Sequence, residues 1–109
     1  MFKLFDMRNV HTYGIPDEWA GLSQVFTALG DEHRQRILLG FQPGERLNVS
    51  QIARASTLSR PAVSHHLHVL REAGVLRSEK LGREIFYWID KALLEQTLTV
   101  VLEYVREQA

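Results

Sequence analysis

The sequence contains no cysteine. That absence excludes disulfides, thiolate metal sites, cysteine nucleophiles and thiol redox switching together, so any sensing must use other chemistry. Net charge is absent too: 13 basic residues stand against 13 acidic ones, which excludes a uniformly basic nucleic-acid coat. No apolar run approaches the roughly 18 residues a membrane helix needs. Asp6 and Arg8 interrupt the start MFKLFDMRNV, so it has no signal-peptide core, and a soluble, cytoplasmic protein without membrane contact is expected. A Gly-rich phosphate loop is missing, as is a carboxylate pair in an identifiable cleft, so the chain reads as a non-enzyme that needs no cofactor. With 109 residues, 45% of them hydrophobic, it is long enough for one domain with its own core.

Residues 1–16 mix apolar and polar side chains at no clean period and end in Ile15-Pro16, which predicts an N-terminal arm ahead of a domain at 17–109. From Asp17, a candidate cap, Trp19, Leu22, Val25, Phe26 and Leu29 repeat at helical spacing up to Gly30, predicting a first helix over about 17–29. Its inward stripe is read as Leu22, Phe26 and Leu29, with Trp19 and Val25 flanking. Asp31 caps a second helix that the Gln42-Pro43-Gly44 turn ends. Asn48 and Gln51 have capping-box spacing for a short third helix. After Ser56-Thr57-Leu58, Ser59 caps a fourth helix with Pro61 in its first turn, where the missing N–H costs nothing. Two strand-like runs around Leu81-Gly82-Arg83 predict a β-hairpin, with Ile85, Tyr87 and Ile89 turned inward, and Asp90 caps a last helix. The pattern is a mainly α winged helix-turn-helix with the order α, α, α, α, β-hairpin, α.

The neutral total hides a polarity. Residues 54–83 carry six basic residues against two acidic, a net +4, and the remainder therefore carries −4. This basic segment coincides with the helix-turn-helix and the hairpin, the elements that enter DNA grooves in winged-helix proteins. At about 100° per residue, Val63, Leu67 and Leu70 share one face of the fourth helix and anchor it to the core. The opposite side collects Pro61, Ser64, His65, His68 and Glu72, flanked by Arg60 and Arg71, and this face is expected to read base edges or phosphates. Arg77, Lys80 and Arg83 are expected to cluster around the hairpin tip and add phosphate contacts as a wing.

The histidines admit two readings. His65 and His68, three apart, could share a metal, but no third ligand converges on them and no metal site is expected. His66 falls beside the apolar stripe and reads as a packed histidine with one hydrogen-bond partner, while His11 and His33 stand alone as surface residues.

The last helix carries more apolar surface than one core can bury. Leu94, Leu98, Val101 and Val105 form a stripe sufficient for the protein's own core, and Leu93, Val100, Tyr104 and Leu102 continue it to both sides. With the same excess on the first helix, this predicts a homodimer through Trp19, Leu22, Val25, Phe26, Leu94, Leu98, Val101, Leu102 and Val105. Two-fold pairing sets two recognition helices about 34 Å apart, so the expected DNA site is an inverted repeat.

The string SRPAVSHHLHVLREAGVL at 59–76, the hairpin end IFYWID at 85–90 and LGDEHRQRILL at 29–39 resemble the ArsR/SmtB family of bacterial winged-helix repressors. The resemblance covers about residues 20–106. It implies a dimeric transcriptional repressor that binds an operator in double-stranded DNA and releases it when an effector binds. Metal-sensing members carry a Cys-x-Cys pair where RLNVSQI places Asn48 and Ser50. For the zinc site of other members only Asp90 matches, the later places holding Ala92, Glu103 and Arg106. The expected signal is therefore neither thiol nor metal. A small organic ligand in a pocket lined by the arm and the dimer helices, a pH change through histidine titration, a partner protein and no effector at all stay open, as does the alternative of a winged-helix interaction module without DNA binding.

Overall fold

The computed structural model describes residues 14–108, so most of the expected arm, with His11, lies outside the described residues. The predicted first helix is interrupted. A short 3-10 helix, Asp17–Trp19, closes on the Pro16 carbonyl, and the chain then turns through Gly21 at φ 79° before α1, Leu22–Leu29, begins. The Asp17 side chain caps nothing; Ala20 is extended and Gly21 left-handed, a conformation that breaks the helical ladder. The break also rotates α1 from its expected setting. Leu22, Val25 and Ala28 face the core, whereas Phe26, expected in that stripe, is 39% exposed.

The other capping predictions, at Asp31, Asn48, Ser59 and Asp90, agree with the structure. Asp31 accepts from the Arg34 N–H to start α2, Glu32–Leu39. Asn48 and Gln51 form a reciprocal capping box at α3, Val49–Arg54. Ser59 accepts from the Ala62 N–H to open α4, Arg60–Glu72, and Asp90 from the Leu93 N–H in the first turn of α5, Lys91–Gln108. α4 ends in a paired closure: the Gly74 N–H donates to the Arg71 carbonyl and the Val75 N–H to the Leu70 carbonyl. This closure requires positive φ at Gly74, which sits at 84°.

The hairpin joins β2, Leu76–Leu81, to β3, Glu84–Ile89. A third strand, β1, Leu47–Asn48, pairs with β3 through Leu47 opposite Tyr87 and Asn48 opposite Phe86, giving the antiparallel order β1-β3-β2. Two residues carry too little pattern to announce themselves as a strand. Val63, Leu67 and Leu70 of α4 lie at the centre of the core with Val75, Leu76 and Tyr87, so the hairpin base and α4 share one apolar unit. Ile85, expected inward with Tyr87 and Ile89, is exposed because it sits opposite Lys80, beyond the reach of that core.

α5 is the second departure. Leu93 and Leu94 in its first turns pack on the core, but none of its residues is fully buried, and Leu98 and Val105 of the expected core stripe are each 48% exposed. Its later turns run along the short N-terminal helix, where Tyr104 meets Trp19, and leave their other side bare.

Candidate nucleic-acid interface

Helix α4 presents a sorted surface. Val63, Leu67 and Leu70 are buried, and Arg60, Pro61, Ser64, His65, His68 and Arg71 are all exposed on the remaining circumference. The sorting follows from the 3.6-residue period of the helix, since residues three and four apart stay on one side. At its start, Arg60 donates to the Ser50 hydroxyl of α3 at 2.6 Å, which ties the two helices across the Ser56–Leu58 turn. At its end, Glu72 engages both Arg71, at 3.2 Å, and His68, whose Nε2 lies 3.9 Å away. The positive potential of α4 is thereby reduced in its last turn and kept at its N-terminal half, around Arg60, Ser64 and His65.

His66 is half-buried against α2. Its Nδ1 lies 3.2 Å from an Arg34 guanidinium nitrogen, and since arginine only donates, Nδ1 accepts and the neutral ring carries its proton on Nε2. Arg34 is itself held by the Ala28 and Thr27 carbonyls at 2.7 and 3.1 Å, so α1, α2 and α4 meet at this one side chain. Loss of hydration holds the His66 pKa below its ordinary 6.5; Asp31 opposes the shift, and the charges of Arg34, His65 and His33 add to it. The Asp31 carboxyl is held below its ordinary 3.8, first by the hydrogen bond from the Arg34 N–H. His33, expected to stand alone, has its ring 5.7 Å from that of His66, because the crossing of α2 over α4 brings them together.

In the hairpin, alternation separates the three basic residues that were expected to cluster at the tip. Lys80 shares a face with Ser78, Leu76 and Tyr87, the face that packs on the core at its base, and Arg83 lies in the turn itself. Arg77 pairs with Trp88 near the base and points to the opposite face. That outer face holds a cluster unmarked in the sequence: the Arg46 guanidinium lies 3.8 Å over the Trp88 ring and 3.1 Å from the Glu79 carboxylate. No local pattern joins residues 33 and 42 positions apart; only the β1-β3-β2 order does.

The two places where the family resemblance sets cysteines have structural duties here. Ser50 accepts from Arg60, and Asn48 closes the α3 capping box while its amide donates to Glu84 at 2.9 Å.

A family of helix-turn-helix domains matches residues 29–79, the span from the end of α1 into the hairpin. An ArsR-like transcriptional regulator from Rhodococcus sp. RHA1 superposes with a TM-score of 0.73 at 35% identity, over 82% of this chain and 83% of that one. The chain belongs to the ArsR family of winged helix-turn-helix transcriptional regulators. Among curated relatives, it is 28% identical over 86 residues to the transcriptional repressor SdpR of Bacillus subtilis (strain 168), covering 79% of this chain and 94% of that protein. It is 35% identical over 77 residues to the arsenic resistance transcriptional regulator ArsR1 of Pseudomonas putida, covering 63% of this chain and 60% of that one. These relatives are regulators of transcription. Among the described residues no helix is long and apolar enough to cross a membrane.

Of the residues expected at an interface between copies, Leu22 and Val25 are buried in the protomer's own core and are not available to a partner. Trp19, Phe26, Leu94, Val101, Leu98, Leu102 and Val105 keep exposed or half-exposed surface, and Trp19 meets Tyr104 edge to face at 5.5 Å. The short N-terminal helix and α5 thus form one apolar surface.

Proposed function

We propose that this regulator is a homodimeric repressor whose α4 enters the major groove of an inverted-repeat operator, with Ser64, His65 and His68 at base edges and Arg60 and Arg71 at phosphates. The observation that carries the reading is the polar face of α4, exposed along its length while its other face is locked into the core with the hairpin base. Lys80 and Arg83 add phosphate contacts from the wing. Dimerisation uses Trp19, Phe26, Leu98, Leu102 and Val105, with Leu94 and Val101 at the edge of the patch; 17–109 acts as the DNA-binding and dimerisation unit, and 1–16 as an arm. Release follows a signal that is neither thiol chemistry nor metal binding, since the cysteine positions of the family hold Asn48 and Ser50.

Selection from a random duplex pool tests this. An inverted repeat with half-sites about one helical turn apart is expected. On that duplex, His65→Ala weakens binding by about 1–3 kcal/mol, and on an unrelated duplex it has little effect. Micromolar zinc or arsenite leaves the affinity unchanged. Failure to enrich any sequence, or equal loss on both duplexes, refutes the reading.

A further inference from the structure

A cavity of about 450 Å3 lies between α2 and the helix-turn-helix. Its floor is apolar, made by Ile37 and Ile52 with Leu58, and its rim carries His33 and Arg36 of α2 and Thr57 of the turn. Among the described residues that line it, none is a carboxylate. The volume is that of a pocket for a small organic molecule, and an apolar floor with a few polar groups at the edge is the usual composition of such pockets. The hollow between the 3-10 helix and α5, near the place expected for an effector, is only about 170 Å3 and has Glu18 in its wall.

The charge of the rim selects the ligand class. Arg36 brings a guanidinium to the rim, and His33 stands beside the same space, so an anionic head finds a partner there and a cationic one is repelled. The guanidinium is not committed elsewhere: Glu32 is 4.0 Å away, and both side chains of that pair are well exposed, an arrangement that contributes little. An incoming carboxylate therefore displaces a weak partner, and its apolar body gains the floor.

The position couples the cavity to α4 by two routes. Ala55, Ser56, Thr57 and Leu58 line it, and these residues set the angle between α3 and α4; the Ser56 hydroxyl accepts from the Leu58 N–H at 2.9 Å and shapes the turn. On the other wall, the His33 ring lies against His66 of α4, the residue bonded to Arg34. An occupant bears on the turn and on His33 together, so it shifts the seating of α4.

We propose that this cavity is the effector site, that it takes a small apolar molecule with a single anionic group, and that its occupancy changes the grip of α4 on DNA. The regulatory half rests on the repressor reading above; binding does not. The test uses the full chain, labelled with 15N and free of DNA, titrated with 1-naphthoate and with its neutral counterpart 1-naphthamide. Naphthoate is expected to saturate with amide shifts centred on Gly40, Gln51 and Thr57 and to bind at least about tenfold more tightly than the amide. Arg36→Gln, an exposed substitution, removes that advantage and leaves naphthamide unaffected. No shift at millimolar naphthoate, shifts centred on α5, or equal affinity for both probes overturns the site. With naphthoate saturating, the affinity for the selected operator duplex changes several-fold; an unchanged affinity overturns the effector role, and a protein that selects no duplex at all fails the repressor reading while leaving the titration result intact.

Discussion

Replacing Gly74 with alanine asks how tightly the end of α4 is joined to α5. Two costs are separable. The left-handed backbone at φ 84° costs an alanine about 1–2 kcal/mol. The new Cβ would also lie 2.7 Å from Leu93 Cδ1, far inside contact distance, and the neighbour is the end of a half-buried side chain in the first turn of α5. Moving that methyl forces Leu93 off its rotamer at about 0.5–1.5 kcal/mol. The sum is about 1.5–3.5 kcal/mol. Gly21 is the matched control, because its φ is 79° and a Cβ there meets nothing within 4 Å, so Gly21→Ala carries only the backbone cost of about 1–2 kcal/mol. Urea unfolding at one protein concentration measures both. A double-mutant cycle isolates the contact: in a Leu93→Ala background the methyl is gone, and Gly74→Ala falls to the cost seen at Gly21. A cost for Gly74→Ala that is the same in both backgrounds, within about 0.3 kcal/mol, would refute the idea that α4 and α5 are joined at this point.

Other substitutions address the interface, the histidines and the dimer. Arg83→Ala is expected to flatten the slope of log affinity against log salt by about one phosphate contact, and Arg77→Ala, on the opposite sheet face, to leave it unchanged; the reverse pattern would place the wing contacts on the wrong face. Since His66 is held below its ordinary 6.5, the unfolded chain binds the extra proton, so its contribution to stability is complete above that value and is lost as pH falls through the folded pKa. The melting temperature should therefore drop between about pH 7.5 and pH 5, less steeply in His66→Gln, whose amide oxygen still accepts from Arg34; identical slopes would remove His66 as the cause. Paired charges at the exposed leucines of α5, Leu98→Glu with Leu102→Glu, are expected to give a folded monomer by sedimentation, and a folded dimer would move the interface elsewhere.

Most of the local structure was legible residue by residue. Asp31, Asn48 with Gln51, Ser59 and Asp90 cap the helices they were expected to cap, because a side chain bonding an N–H three residues on is a short-range event written in adjacent letters. The division of α4 into buried Val63, Leu67 and Leu70 and an exposed polar face was readable for the same reason: a regular helix converts spacing into direction. What spacing does not state is which neighbour arrives. Val25 is inside and Phe26 outside only because Gly21 resets the approach of α1; Ile85 is bare because the core ends at Tyr87; the stripe of α5 is half-exposed where it was expected to be buried. The Arg34–His66 bond, the Arg46–Trp88–Glu79 cluster and the cavity between α2 and the helix-turn-helix join residues dozens of positions apart. Their existence depends on helix crossing and strand order, which are set by packing the whole core at once and leave no periodic trace in any one segment.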